Sequence, residues 1–335
     1  MASIKEVALR CGVSVATVSK ALNNKSDVGE ETKQKIRKVA EEMGYMPNAT
    51  ARALRTKRSH SIGLLFGGQG SQALTDEFFS HVINAFKSAV EKRGYEILFI
   101  NKEIGSHTMT YLEHCMYRGV DGLLVAYVPY ENKEVKELLE SELPIITLDS
   151  EFEGKNSFNF DYAAGIKDLV TYIYAMGHRK IAYIHGEKRG NTLNRLESFY
   201  ETAEELGLTV PEDYIKQSGY LDYKKAAELT EELLKLPDPP TCILYPNDFS
   251  ALGGLGKIYE RKLSVPEDIS IAGYDGIPLS KALMPPLTTL EQPSAEMGEA
   301  MAKQLISLIE EPESTGIIQR RIKGKVYQGG SVKKL

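Results

Sequence analysis

Near the start of the chain Ile4, Val7, Ala8 and Cys11 recur at i, i+3, i+4 and i+7, one apolar helical face. Ser3 and Glu6 form a capping box, so a helix is expected from Ile4, and Gly12 ends it because glycine enters the left-handed region cheaply. Ser14 then caps a second helix that turns Val18, Ala21 and Leu22 inward. Two short helices across a glycine-containing turn make a helix-turn-helix, whose second helix enters the DNA major groove; a helical hairpin in an ordinary bundle has the same pattern. A third helix is expected from about Glu30 to Met43, with Ile36, Val39, Ala40 and Met43 at helical spacing and Gly44 as its stop. Pro47 opens a further segment, Asn48 to Arg55, rich in helix formers. At about two turns it is too short to hold a helix alone in water, and residues 57–60 read as plain linker.

From Ile62 the pattern changes. Short apolar runs at Ile62–Phe66, Ile97–Asn101, Gly122–Ala126, Ile145–Leu148, Ile181–His185, Cys242–Pro246 and Ile269–Gly273 alternate with helical stretches. The helices include about Glu77–Arg93, Glu134–Glu140, Ala163–Met176, Leu193–Leu206, Tyr223–Leu234 and Ala251–Arg261. This alternation predicts parallel sheets covered on both faces. The stretch is too long for one doubly wound sheet, so two similar lobes are expected.

In such sheets ligands bind at the carboxyl ends of strands. Asp149, Asn247 and Asp275 all stand there, and Arg195 starts a helix after another strand. Planar Asp, Asn and Arg side chains suit vicinal hydroxyls, which need paired donors and acceptors. Phe160 and Tyr220 offer apolar faces for sugar C–H groups. On the second helix Val15 and Ala16 suit thymine methyl groups, Lys20 a base edge, and Thr17 and Ser19 phosphates. Alone, each of these residues reads equally as surface filler, a cap, a turn or an ion pair.

The overall charge is −5, yet residues 1–60 hold twelve Lys/Arg against six Asp/Glu, leaving an acidic remainder. A basic reading head on an acidic body accounts for both. Three scattered cysteines imply a reducing compartment and no disulfide framework. Neither a transmembrane run nor a secretory signal is visible, so a cytoplasmic protein is expected. His107, His114 and Cys115 lack zinc spacing, His178 reads as structural, and no nucleophile elbow or Walker loop occurs. Neither metal nor cofactor is therefore expected. Gly68 to Ala73 fits G-x-G-x-x-A, a weak dinucleotide signal, because Asp76 and Glu77 would repel a pyrophosphate; a cleft loop fits better.

The run Val7-Ala8-x-x-Cys11-Gly12-Val13-Ser14-Val15-Ala16-Thr17-Val18-Ser19-Lys20-Ala21-Leu22-Asn23 resembles the DNA-binding end of the LacI/GalR family of transcriptional regulators. Thr32, Gly44-Tyr45, Pro47-Asn48 and Ala51-Arg52 extend the match. Gly177 to Ala182, Asn247-Asp248, Gly273-Tyr274-Asp275 and Pro286 to Thr289 follow in the family's order. The resemblance implies a small all-α helix-turn-helix head (1–46), a hinge helix and linker (47–59) and an α/β sensor domain (60–335). That domain would have two doubly wound lobes, type I periplasmic-binding-protein-like, dimerising and crossed near Phe160, Glu291 and Gln319.

It further implies DNA contacts from Ser14, Val15, Ala16, Thr17, Ser19, Lys20, Asn23, Asn48 and Ala51, with Leu54 as a minor-groove wedge. Phe78, Asp149, Phe160, Asn191, Arg195, Tyr220, Asn247, Asp275 and Gln292 would line an effector site. Ala126 stands where some members carry an amide, and Lys20 where many carry Arg, a better bidentate partner for guanine. The expected protein is a non-enzymatic repressor, a homodimer on a near-palindromic DNA operator, switched by a sugar or glycoside. A regulator recruiting a protein corepressor and a sugar-acting enzyme are the alternatives. The C-terminal residues contain no leucine heptad for a tetramer.

Overall fold

The computed structural model describes residues 2–46, 58–67, 76–187, 190–219 and 221–335. The chain divides into two compact units, Met1–His60 and Ser61–Leu335.

The first unit is helical: α1 (Ile4–Cys11), α2 (Val15–Leu22) and α3 (Glu30–Glu42). Both bonds of the Ser3/Glu6 capping box form, and Gly12 takes φ +69° at the end of α1. Ser14 Oγ caps α2 by accepting from the Thr17 amide at 3.1 Å. Gly29 begins α3 without a side-chain bond. Val7, Ala8, Cys11, Val18, Ala21, Val28, Ile36 and Ala40 form the unit's core. Leu22 is only partly buried and packs at its edge. The hinge residues Asn48, Ala51 and Leu54 lie outside the described residues.

The second unit runs β1 (Ser61–Phe66), α4 (Glu77–Lys92), β2 (Glu96–Phe99), a β3 (Glu103–Ile104)/β4 (His107–Thr108) hairpin, α5 (Tyr111–Arg118), β5 (Gly122–Ala126) and α6 (Lys133–Glu140). There follow β6 (Ile145–Leu148), β7 (Asn156–Phe160), α7 (Tyr162–Ala175), β8 (Ile181–His185), α8 (Asn191–Glu205), β9 (Ile215–Gln217), α9 (Tyr223–Leu234) and β10 (Cys242–Leu244). The chain continues through α10 (Asp248–Glu260), β11 (Ser270–Asp275), α11 (Pro278–Lys281), β12 (Thr288–Glu291), α12 (Ser294–Glu310), β13 (Gln319–Ile322) and β14 (Lys325–Tyr327).

Its large strands form two sheets, ordered β13-β7-β6-β5-β1-β2 and β14-β12-β11-β10-β8-β9. Within these two sheets all ladders are parallel except β12 with β14; the separate β3/β4 hairpin is antiparallel. Buried strands such as β5 and β8 are apolar because helices cover both their faces.

The chain passes between the lobes three times, at Asp161, at Gln292–Pro293 and at Lys323–Gly324. The third passage follows β13, the strand that begins at Gln319. Polar Gln-Arg-Arg pairs as an edge strand with β7, leaving the turn for Lys323 and Gly324. The passages pack on one another: the Asp161 amide donates to Ile322 O at 2.9 Å. A Cβ on Gly324 would stand 2.7 Å from Glu291 O, so only glycine allows that approach. No described helix is long and apolar enough to cross a membrane.

Candidate functional site

In the head, α2 exposes Val15, Ala16 and Lys20, and Asn23 follows as its C-cap. Ser14 and Thr17 share a hydroxyl contact of 2.9 Å, Thr17 and Ser19 are half-buried, and Asn23 Nδ2 donates to Ser19 O at 2.6 Å. The small apolar start and basic end of α2 thus face outward together, as a groove-reading helix requires.

In the two-lobed unit the polar candidates converge where the strands end. Tyr127, Asp149 and Asp275 have φ of +56°, +61° and +104°, left-handed values that non-glycine residues adopt at a cost. The turn at Asp149 places its carboxylate at the first residue of the passing helix, where Tyr162 donates to Oδ2 at 2.7 Å. Its Oδ1 is buried without a partner.

Arg195, one turn into α8, lies with its guanidinium carbon 4.4 Å from the ring centre of Tyr162 and 3.9 Å from that of Tyr274. Its Nη1 donates to Pro246 O at 2.9 Å, while Nε is buried without a partner. The next residue, Asn247, caps α10 through Oδ1, accepting from Ser250 N at 2.7 Å. Its Nδ2 is likewise buried and unpartnered. Asp275 accepts from Gln292 Nε2 at 2.8 Å. Phe78, behind the Asp76 cap of α4, meets Phe160 edge to face at 5.1 Å, and Asn191 opens α8 half-buried. Tyr220 and the glycine run at 68–73 lie outside the described residues.

Burial governs the acids. It pushes the Asp149 carboxyl up to about 6, against the Tyr162 hydrogen bond and the nearby Arg195 charge. It raises Asp275 well above the ordinary range, again opposed by Arg195. Asp248 is pushed up to about 7 by burial, although Thr289 Oγ1 and the Ile277 amide donate to it. Asp149 and Asp248 bind protons more tightly folded than at the ordinary 3.8. The contribution of these two acids to stability should therefore fall as pH rises from about 4 to about 7 and change no further above that. Melting curves across this range check the sign; replacing Asp248 with Asn should flatten the part above pH 6.

Three of these residues are not visible as site residues in the sequence. Tyr162 and Tyr274 stack on each other with ring centres 6.3 Å apart and both pack against the arginine, and Asp248 supports the turn carrying Asp275. Asp248 and Tyr274 stood only as parts of matched motifs, beside Asn247 and Asp275, and Tyr162 had no signal beyond following a strand. His178 is a structural residue, bonded to Thr241 and to Lys333 O. The described residues contain no cluster of side chains able to hold a metal ion.

A helix-turn-helix on the same chain as a two-lobed α/β body, crossed three times beside converging polar side chains, defines a DNA-binding regulator with a sensor domain. Residues 3–48 match the family described as bacterial regulatory proteins, lacI family, and residues 170–332 match the periplasmic binding protein-like domain. The ribose operon repressor of Escherichia coli (strain K12) is 32% identical over 319 residues, 93% of this chain and 94% of its own. The lac repressor dimer, solved on its operator with an anti-inducer, superposes with a TM-score of 0.81 at 25% identity and 99% coverage of both chains. A LacI-family regulator from Enterococcus faecium with bound ribose gives a TM-score of 0.70 at 26% identity, over 82% of this chain and 99% of its own. The chain belongs to the LacI family of transcriptional regulators.

Proposed function

We propose that this regulator is a repressor that leaves its operator when a sugar or glycoside enters the cleft around Asp149, Arg195, Asn247 and Asp275. One observation carries the effector class. A buried unpaired acceptor, Asp149 Oδ1, accompanies two buried unpaired donors, Arg195 Nε and Asn247 Nδ2. Hydroxyl groups both donate and accept, so a polyol satisfies all three, whereas an apolar ligand leaves each at a cost of about 1–3 kcal/mol. The ribose operon repressor and the ribose-bound Enterococcus regulator make ribose the first sugar to test. Phe78 and Phe160 would supply the apolar wall for its C–H groups, with Asn191 and Gln292 as further polar partners; Tyr220, the other residue expected at this site, lies outside the described residues.

The protein acts as a dimer on a near-palindromic duplex, through Val15, Ala16, Lys20 and their neighbours in the groove. The hinge residues Asn48, Ala51 and Leu54 would then add minor-groove contacts. The test is the full chain on duplexes enriched from a randomised pool. Affinity should fall steeply with salt, since Lys and Arg displace counterions. Lys20→Ala should relax one base position per half-site by about 1–3 kcal/mol. Equal weakening on every sequence would reduce Lys20 to a phosphate contact. Ribose or a related sugar should release the enriched duplex; failure of all sugars to do so would sink the effector reading.

A further inference from the structure

The free reading head already engages Lys20. Its Nζ donates to Asp27 Oδ2 at 2.5 Å. Lys20 lies in the last turn of α2, on the exposed face, and Asp27 lies in the turn leading to α3. That turn is itself fixed. The Lys25 amide donates to Lys20 O at 3.0 Å, Arg37 Nη2 donates to Asn24 Oδ1 at 3.1 Å, and Val28 is buried in the head's core. The carboxylate therefore stands at a set distance from the recognition helix.

The pair contributes little to folding, because the two side chains are 52% and 54% exposed. Its consequence lies with DNA. A lysine alone is a flexible point charge, equally content with any phosphate. A carboxylate at the DNA face is repelled by phosphates and finds a partner only in an exocyclic amine.

The geometry points to Asp27 as a specificity-determining positioning residue that holds the Lys20 ammonium toward base edges and adds an acceptor beside it. Such a couple matches a G·C pair: Lys20 donates to guanine O6 or N7, and Asp27 accepts from cytosine N4. On other sequences the carboxylate meets only phosphate charge, so non-operator DNA is rejected. The inference rests on the base-reading role proposed above for Lys20.

The experiment enriches a randomised duplex pool on the full chain and on the Lys20→Ala, Asp27→Ala, Asp27→Asn and double-alanine variants. The affinity of each for one random-sequence duplex is also measured. Lys20→Ala and Asp27→Ala should relax the same base pair in each half-site, and the double variant should relax it no further. Both Asp27 variants should bind the random duplex about tenfold tighter than the parent, with unchanged melting temperatures. If Lys20→Ala relaxes a position that Asp27→Ala leaves intact, Asp27 does not position Lys20. Unchanged binding of the random duplex would overturn the rejection of non-operator DNA. If Lys20→Ala relaxes no position, the base-reading role of Lys20 fails, and this inference with it.

Discussion

Arg195→Ala should yield a repressor that holds its operator and no longer lets go in the presence of sugar. In the parent the guanidinium packs against the stacked rings of Tyr162 and Tyr274 and is tied to Pro246 O. It is also the positive charge that opposes burial of Asp149 and Asp275. Removing one partner of a buried charge-assisted hydrogen bond costs several kcal/mol, so effector affinity should drop by roughly two decades or more. Operator affinity without effector should barely change. A ligand shifts two states only by its differential affinity for them, and the variant loses that difference.

Fluorescence anisotropy of the operator complex, titrated with ribose, gives the result directly. Release at the parent's ligand concentration would place the effector site elsewhere. Unfolding of the variant would make Arg195 a structural ion pair. Lys at this position should not restore the response, because an ammonium has neither the planar face that packs on aromatic rings nor the rigid fork of donors that a guanidinium presents.

The second large effect concerns the lobe that carries Asp149. Its helices α4 and α12 pack closely, and a Cβ on Gly298 would stand 2.6 Å from both Val82 O and Phe86 N. Those are backbone atoms of α4, which cannot rotate away as a side-chain tip can. Gly298→Ala should therefore push the two helices apart and destabilise the sensor domain by about 1–3 kcal/mol, as overpacking does. For a domain of this size that lowers the melting temperature by several degrees, roughly 2–4 °C for each kcal/mol. Because α4 also brings Phe78 to Phe160, effector affinity should weaken too. Calorimetry of the parent and variant checks the first claim, and a melting temperature within one degree of the parent would contradict it.

The head was nearly all legible in the sequence, because its signals are local: a capping box, a capping serine and two terminal glycines each fix one helix end. The buried strands β1, β5, β6 and β8 were legible for a related reason, since burial on both faces demands an unbroken apolar run. Edge strands β9 and β13 were not, because Lys216, Arg320 and Arg321 reflect solvent on one side. Nor was β7, whose buried Asn156 is satisfied by Gln304 Nε2 and the Ile318 amide, partners far away in the chain. Helix α12 carried a clear apolar stripe at Met297, Met301, Leu305 and Ile309 that was not among the helices expected. At the proposed effector site, Asp149, Arg195 and Asp275 stood out by chemistry and position. Tyr162 and Tyr274 did not, because only tertiary folding brings their rings to the arginine.

The three passages also mean that neither lobe is a continuous piece of chain. The lobe begun by β1 is completed only by α12 and β13, after the other lobe's central strands have been made. On a ribosome adding about 5–20 residues per second, roughly 160 residues separate β7 from its neighbour β13, a wait of roughly ten to thirty seconds. During that interval the nascent sheet shows an open edge at β7, the kind of edge to which chaperones and other nascent strands bind. A chain cut at the second passage would retain that edge permanently, so truncation there should yield an aggregating product rather than a smaller sensor.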